Sequence, residues 1–228
     1  MLVIIGYGLA VGDVILEKFA SNGWDVALVA RRLEVLEAKA AEWAGRALVK
    51  AFAGDLSQPE TIAPLINRIH AELGSIDLII YNATTIGLPY DAPIEKLISN
   101  VHINITSLHV AFNAALPLFK AAGKGAFFTS GGGFGVNGAW GVPYGAQFGA
   151  AAKAYFRNFA QSGFATFKEE NIFVSNLNIQ SLVYGGVNIT FEDTDPEKSQ
   201  AFRKKLGDTV WAQANLEKEH WVDEVVIN

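Results

Sequence analysis

Short apolar runs alternate with longer amphipathic segments along almost the whole chain. The apolar runs are bounded by glycine or charged residues and are short enough to be buried strands. The pattern predicts strands at Leu2–Ile5, Asp25–Ala30, Ala47–Ala53, Asp77–Tyr81, Ala126–Thr129, Ile172–Ile179 and Glu224–Ile227.

The segments between these runs have the composition and spacing of helices. The predicted helices are Val11–Ser21, Leu33–Ala44, Pro59–Leu73, Pro93–Lys120 and Tyr144–Lys168. The fourth of them is expected to bend or to start again near its middle. Strands that alternate with helices in one chain predict an α/β fold, in which helices cover both faces of a parallel sheet.

No linker or repeat interrupts this pattern, so residues 1–228 are predicted to form one domain. The polar exception is residues 184–220, and its most polar part is Thr190–Gln200 ("TFEDTDPEKSQ"). A polar insertion just before the last strand is expected to form a lid over a crevice at the strand ends.

Composition narrows the classes of function. Half of the residues are apolar and 18% are charged, as in globular proteins. The net charge of −5 argues against nucleic acid as a partner. The chain has no cysteine, which excludes disulfides and thiolate metal sites, and its four histidines lack ligand spacing, so no metal site is predicted. The first apolar run is too short to span a membrane, and we expect a soluble, cytoplasmic protein with no membrane partner.

A glycine-rich loop joins the first strand to the first helix, within Val3–Ile15 ("VIIGYGLAVGDVI"). Gly6 permits a tight turn, Gly8 leaves room for a ligand beside the backbone, and Gly12 lets the helix lie close to its strand. The other residues that would present N–H groups to a pyrophosphate at this helix N-terminus are Leu9, Ala10 and Val11. The alternative is a loop that makes a tight turn and binds nothing.

Over nearly its whole length the chain resembles the short-chain dehydrogenase/reductase family. The family's G-x-x-x-G-x-G loop falls on Gly6, Ala10 and Gly12, with alanine in the middle position. The segment Trp211–Ile227 is similar to a divergent branch whose members have TGGG-like strand ends and a lysine without the usual tyrosine. The resemblance implies a Rossmann-like, doubly wound parallel sheet of about seven strands in three α/β/α layers. It also implies a nicotinamide cofactor and a small-molecule carbonyl or alcohol substrate.

The end of the second strand favours NADP(H) over NAD(H). Enzymes that prefer NAD usually have an acidic residue there, which binds the ribose hydroxyls. Here Arg31 and Arg32 follow the strand, and the first acid is Glu34. A guanidinium suits a 2′-phosphate through paired, charge-assisted hydrogen bonds. The alternative is a basic, solvated start to the next helix.

Other cofactor contacts are implied by the resemblance alone. Asp55 and Leu56 ("GDLS") match the pair that holds the adenine ring. "YNATTIG" stands where the family has N-N-A-G, so that Asn82 and Ala83 match and Thr84 replaces a glycine. After the sixth strand, Gln180–Ser181 replace the family's P-G, although Val183 could still offer its backbone to the carboxamide.

The family's catalytic set is an Asn, a Ser, a Tyr and a Lys four residues after that Tyr. The tyrosine exchanges a proton with the substrate oxygen, and the lysine ammonium lowers its pKa from the ordinary value near 10. The resemblance places the asparagine at Asn104. Asn104 could equally satisfy a backbone group in a helix bend. The serine position falls on Ser130 or on Gly131.

The tyrosine and lysine positions conflict with each other. Tyr144 stands at the usual distance after Gly131, but Phe148 occupies the position where its lysine should follow. Lys153 begins "KAYFRNFA", which resembles the family's lysine motif, but Gly149 occupies the position of its tyrosine. On a continuous helix Tyr144 and Lys153 would lie on opposite faces, and they could meet only if Tyr144 belongs to a longer loop. We predict that they do not form the usual pair.

Three hypotheses follow from the sequence. The first is an NADP(H)-dependent oxidoreductase with a non-standard proton donor, such as Tyr144 or water. The second is a catalytically degenerate protein that binds a nucleotide or a partner, and the third is a structural protein without nucleotide. A homodimer or homotetramer is also expected, because the helix around Ala150–Phe167 is rich in aromatic residues. The resemblance implies the same, since the two helices that follow the fourth and fifth strands commonly form the subunit interface in the family.

Overall fold

The computed structural model describes residues 1–85, 87–88, 91–180 and 196–228, with only the backbone at Tyr144 and residues 196–198. Its strands are β1 (Leu2–Ile5), β2 (Val26–Ala30), β3 (Val49–Ala53), β4 (Leu78–Tyr81), β5 (Gly125–Ser130), β6 (Ile172–Ile179) and β7 (Glu224–Ile227). In the described ranges they form one sheet in the order β3-β2-β1-β4-β5-β6-β7, and every neighbouring pair is parallel. The prediction of a doubly wound parallel sheet is confirmed.

The helices cover both faces of this sheet. They are α1 (Val11–Ala20), α2 (Leu33–Ala41), α3 (Ile62–Leu73), α4 (Ile94–Val101), α5 (Ser107–Ala122), α6 (Gln147–Phe167) and α7 (Pro196–Ala214). A π-helical turn, His102–Thr106, joins α4 to α5 and accounts for the predicted bend. None of the described helices is long and apolar enough to cross a membrane.

Each central strand sends alternate side chains to two separate cores. Val3 and Ile5 of β1 belong to one cluster, whereas Leu2 and Ile4 belong to the other. Both clusters are built from fully buried apolar side chains, which is why the strands read as continuous apolar runs. The strand order reverses between β1 and β4, and ligands of such sheets bind in the crevice beside the carboxyl ends at that point.

Helix α6 begins later than the sequence predicts, and this changes the position of Tyr144. The prediction of a helix from Tyr144 to Lys168 is wrong at its start, because α6 begins at Gln147. Tyr144 instead ends a 3₁₀ segment, Gly138–Tyr144, that is followed by Gly145 in a left-handed conformation with φ 60°. The backbone therefore turns between the two, and the helical-wheel argument against a pair does not apply.

The polar range predicted as a lid contains α7, which the sequence pattern does not predict. Leu206 and Val210, one turn apart, are fully buried against the sheet. They belong to the same apolar cluster as Leu2 and Ile4 of β1. With so few apolar positions in an otherwise polar helix, the periodicity is too weak to detect. Residues 184–195 lie outside the described residues, and a lid there stays a prediction.

The aromatic side chains of α6 pack inside the chain. The rings of Phe159 and Phe167 each lie 5.4 Å from that of Phe112 on α5. Phe164 contacts Phe173 on the other face of the sheet. Phe159, Phe164 and Phe167 are thus packed against the two cores, but each keeps part of its surface exposed.

Candidate cofactor and active site

The glycine loop follows β1 at the reversal point of the sheet. Gly6 has φ +82°, and a Cβ there would lie 2.5 Å from the backbone of Ala83 after β4. A Cβ on Gly12 would lie 3.2 Å from the ring of Tyr7, a tight contact. A Cβ on Gly8, by contrast, would meet nothing within 4 Å. Packing thus excludes a side chain at Gly6 and leaves little room for one at Gly12, while Gly8 leaves an open approach to the backbone.

The first turn of α1 has no side-chain cap. Ala10 occupies the N-cap position and has no oxygen to offer to the N–H groups of the first turn. Leu9 is exposed and Val11 partly exposed beside it. Uncapped N–H groups at a helix N-terminus favour an anion, so this loop fits the pyrophosphate of a dinucleotide.

Asp13, an acid near the expected phosphate position, is held by three partners. Its carboxylate accepts a hydrogen bond of 2.9 Å from the Tyr7 hydroxyl and lies 3.3 Å from both Lys39 and Arg203. Burial raises the pKa of the Tyr7 phenol, and the hydrogen bond to Asp13 raises it further. The two cations offset the negative charge of Asp13 and connect α1 to α2 and α7.

Arg31 and Arg32 lie beside this loop at the end of β2. Both side chains are exposed. Neither guanidinium has a hydrogen bond or ion pair with another residue among those the structure describes. Arg32 is the N-cap residue of α2, whose side chain makes no capping bond. Both cations are therefore available to a ligand at the carboxyl edge of the sheet.

Asp55 and Leu56 form a tight turn after β3. One carboxylate oxygen of Asp55 accepts hydrogen bonds from the backbone N–H and the hydroxyl of Ser57, at 3.0 and 2.8 Å. Leu56 is buried, and its carbonyl accepts a 2.7 Å bond from Ser107 of α5. These contacts give the turn a structural role in addition to the adenine contact that the resemblance implies.

The residues after β4 are bonded to the glycine loop. The Asn82 side chain donates a 2.9 Å hydrogen bond to the Gly6 carbonyl. Ala83 is buried against Gly6, and the Thr84 hydroxyl is buried with no hydrogen-bond partner among the described residues. Asn82 therefore fixes the geometry of the loop. The Thr84 hydroxyl could form a hydrogen bond with a bound ligand.

Asn104 lies within the π-helical turn and is fully buried. Its Nδ2 donates to the Asn100 carbonyl at 2.9 Å and to the Asn100 Oδ1 at 2.8 Å. Its Oδ1 accepts a 3.3 Å bond from the N–H of Thr85. The side chain thus satisfies a carbonyl in the bend and also joins the helix to the loop after β4. π-Turns are frequent at functional sites.

The family's serine position falls on a buried glycine or on a serine that is nearly fully buried. Gly131 is buried directly after β5, and a Cβ there would lie 2.3 Å from the Oδ1 of Asn176 on β6. Ser130, the last residue of β5, is 2% exposed. The side chain of Asn176 fills the space that a serine at position 131 would need.

Lys153 lies in α6 with its ammonium at the end of β5. The side chain is 9% exposed, and the Nζ donates to the Ser130 carbonyl. The Nζ also lies 5.4 Å from the centre of the Phe156 ring. Burial lowers the pKa of Lys153 to about 7. A cation in such a place gains from any further oxygen acceptor, such as a ribose hydroxyl.

Two of the predicted site residues have no described side-chain geometry. Val183 lies outside the described residues. The structure gives the backbone of Tyr144 alone, so the predicted absence of a Tyr144–Lys153 pair stays a prediction.

A buried polar network beside the site was not predicted. Thr129 donates a 3.0 Å bond to Asn176, whose amide donates at 2.8 Å to Glu224 of β7. Arg157 of α6 is paired with the same carboxylate at 2.8 Å. The signal in the sequence is the pair of asparagines, Asn176 and Asn178, at alternate positions of an otherwise apolar strand. The partners come from distant segments, which no local pattern reveals.

Comparisons with known proteins agree with this architecture. The family model for short chain dehydrogenases matches residues 1–188. Among curated proteins, the oxidoreductase asL5 of Sarocladium schorii is 28% identical over 185 residues, which cover 79% of this chain and 71% of that protein. The sulfoacetaldehyde reductase of Chromohalobacter salexigens is 27% identical over 160 residues, which cover 69% of this chain and 62% of that one.

Solved structures share the fold at low sequence identity. A metagenomic short-chain oxidoreductase in complex with NADP has a TM-score of 0.80 and 20% identity, with 100% of this chain and 96% of that chain covered. A short-chain dehydrogenase from Sphingobium yanoikuyae in complex with NADPH has a TM-score of 0.78 and 22% identity, with 99% and 86% covered.

Proposed function

The chain belongs to the short chain dehydrogenase family, and from that premise we propose that it is an NADP(H)-dependent oxidoreductase that acts on a carbonyl or alcohol substrate. The observation that carries the proposal is the open backbone at Gly8, between the uncapped N-terminus of α1 and two exposed guanidinium groups. Two of the structural neighbours contain NADP or NADPH, which supports the same cofactor.

The cofactor would lie along the carboxyl edge of the sheet. Gly8, Leu9, Ala10 and Val11 would hold the pyrophosphate through backbone N–H groups, with Gly6 and Gly12 shaping the turn. Asp55 and Leu56 would contact the adenine, and Asn82, Ala83 and Thr84 the central part. Lys153 would hold the ribose of the nicotinamide half, with Val183 beside the carboxamide.

Preference for NADP(H) rests on Arg31 and Arg32. A 2′-phosphate at the end of β2 would meet two cations that have no carboxylate partner among the described residues. The 2′-hydroxyl of NAD(H) would meet no acid at this strand end, and would leave the cations unpaired. Charge-assisted hydrogen bonds of this kind contribute about 1.5–3 kcal/mol each.

The reaction requires little covalent chemistry from the protein. When bound, the nicotinamide supplies a hydride to a carbonyl carbon or takes one from an alcohol carbon. The chain must orient the substrate and deliver one proton to the carbonyl oxygen in reduction, or remove it in oxidation. Asn104, Ser130 and Lys153 frame this position, and Tyr144 or a water molecule provides the proton.

A second candidate function is a catalytically degenerate protein that binds the nucleotide or a partner. This function is favoured by glycines at two positions where the family has catalytic residues. Gly149 takes the place of the phenol before Lys153, and Gly131 has no room for the serine. The site for the dinucleotide is retained under both candidates, so they differ in turnover and not in binding.

Association into a homodimer or homotetramer in the cytoplasm is part of the same proposal. Its support is an apolar stripe on α4, where Ile94, Ile98 and Val101 are 61%, 48% and 47% exposed. These positions lie on one face of the helix, and neither apolar cluster of the described residues includes them.

The two candidates are separated by measuring binding and turnover on one sample. NADPH binding is followed by calorimetry, and NADPH oxidation is then followed with a panel of ketones and aldehydes. Binding with turnover supports the oxidoreductase, and binding without turnover of any carbonyl supports the degenerate protein. Absence of NADPH binding overturns both.

A further inference from the structure

The loop after β5 carries an apolar surface that the chain's own cores do not use. Val136, Trp140 and Val142 are 47%, 51% and 54% exposed, and they belong to the segment that links β5 to α6. Large exposed apolar groups that cluster on one loop mark a binding surface.

Trp140 differs in this respect from the other four tryptophans. Trp24 and Trp211 lie edge-on to the ring of Phe19, and Trp221 is stacked on Phe173. Trp43 is 7% exposed. Trp140, in contrast, has about half of its surface open to solvent.

The ring of Trp140 lies at the carboxyl edge of the sheet. A Cβ on Gly133 would be 3.5 Å from the ring and 3.7 Å from the side chain of Gln180, which follows β6. The ring therefore covers the backbone three residues after Ser130, at the same strand ends that hold the candidate site.

The same loop is joined closely to the helix of Lys153. A Cβ on Gly135 would lie 2.5 Å from the carbonyl carbon of Lys153, so that the backbones of the loop and of α6 are in direct contact. Trp140 is thus carried by a loop whose position is fixed relative to the buried ammonium.

Charge on this loop is absent. No residue from Gly131 to Ala152 is charged, and the next residue is the buried Lys153, whose ammonium is bonded to a carbonyl. A substrate with a carboxylate, sulfonate or phosphate would find no cation on this loop. A substrate with a flat apolar group would find an indole.

We propose that Trp140 is a specificity-determining residue, and that it selects uncharged carbonyl compounds with an aromatic substituent by packing against that substituent. The inference rests on the proposed oxidoreductase function and names its class of substrate. Trp140 positions the substrate and takes no part in proton transfer.

Three methyl ketones test this assignment because they differ in one substituent. Acetophenone carries a phenyl group, acetone a methyl group and pyruvate a carboxylate. We expect the highest kcat/KM for acetophenone. Trp140→Ala should lower that value about fivefold to tenfold, in line with the energy of an aromatic pair. The value for acetone should change less than about twofold, and Trp140→Phe should keep most of the preference.

Leu48→Ala is the matched control, because Leu48 is 49% exposed before β3, at the far edge of the sheet. This variant should behave as the wild type with all three ketones. Equal losses for acetophenone and acetone in Trp140→Ala would overturn the proposal. So would a wild-type preference for pyruvate.

A second readout separates this inference from the proposed function. Saturation-transfer NMR of acetophenone in the presence of NADP⁺ reports contact without turnover. If no ketone is reduced, the oxidoreductase proposal fails. The Trp140 assignment then holds if the signal is lost in Trp140→Ala and kept in Leu48→Ala, and fails if both variants keep it. A change in mass of Trp140→Ala by light scattering, with an unchanged signal, would instead assign this surface to a second copy of the chain.

Discussion

The glycines of the loop after β1 have two different roles. At Gly6 the left-handed φ and the nearby backbone of Ala83 exclude any side chain. At Gly8 the backbone is open, and only the proposed cofactor would require a glycine there. The sequence predicts both roles from the position of the loop after a strand, because the loop geometry is local. It cannot show which neighbour excludes a Cβ, since Ala83 comes from a distant segment.

Alanine substitutions separate these two roles. Gly6→Ala should lower the free energy of unfolding by about 1–3 kcal/mol or more, because strain at φ +82° adds to a clash. Gly8→Ala should leave stability unchanged within about 0.5 kcal/mol. It should weaken NADPH binding about tenfold, because the pyrophosphate approaches the backbone there. Urea denaturation and calorimetry measure the two quantities. A stable Gly6→Ala, or a Gly8→Ala with wild-type affinity, would contradict the account of the loop.

Gly131 tests whether a catalytic serine can be restored. We expect Gly131→Ser to cost about 1–3 kcal/mol of stability and to give no gain in turnover, because its Cβ would displace the Asn176 amide. Gly133→Ser is the matched control, since a Cβ there would be in ordinary contact at 3.5 Å. Urea denaturation of both variants checks the difference. A Gly131→Ser variant of wild-type stability and raised activity would show that Asn176 gives way.

At the scale of the elements, the sequence predicts what depends on strong periodicity. All seven strands and their parallel arrangement follow from the apolar runs, and the bend in the fourth helix is the π-helical turn at Asn104. The predicted start of α6 at Tyr144 is wrong, because Gly145 and Ala146 interrupt a segment that otherwise has helical composition. Helix α7 was missed because most of its residues are polar and its packing against α1 is a long-range contact.

The boundary at α6 decides what can be expected of Tyr144. We predict that Tyr144→Phe lowers kcat less than about threefold, whereas loss of a dedicated proton donor costs about 10²–10⁴. The reason is that Phe148, and not a lysine, follows Tyr144 by four residues, so the family's source of a lowered phenol pKa is missing at its usual place in the sequence. Tyr155→Phe is the control, because Tyr155 shares an exposed hydrogen bond with His109 and is unrelated to the site. A kcat loss of a hundredfold or more in Tyr144→Phe alone would make Tyr144 the proton donor.

For the whole molecule, the sequence predicts association through the helices that follow the fourth and fifth strands. The aromatic residues of α6 pack partly against the two cores, which leaves less of their surface for an interface. The apolar stripe on α4, the helix that follows β4, is more exposed. We expect light scattering at micromolar concentration to give a dimer or tetramer. Ile98→Lys should lower the mass, because it places a charge in the stripe, whereas Leu48→Lys at the β3 edge should not. A monomeric wild type would contradict this prediction.

The central claim is that this fold presents an NADP(H) site. Its most direct test is a pair of calorimetric titrations of the wild type with NADPH and with NADH. The account predicts NADPH binding at least about tenfold tighter, the low end of one charge-assisted hydrogen bond. It also predicts selective loss of that advantage in Arg31→Asp. Lys124 precedes β5, so it lies at the amino ends of the strands, away from the proposed site. Lys124→Ala should therefore keep the preference for NADPH. Equal affinities for the two cofactors, or no binding of either, would contradict the account.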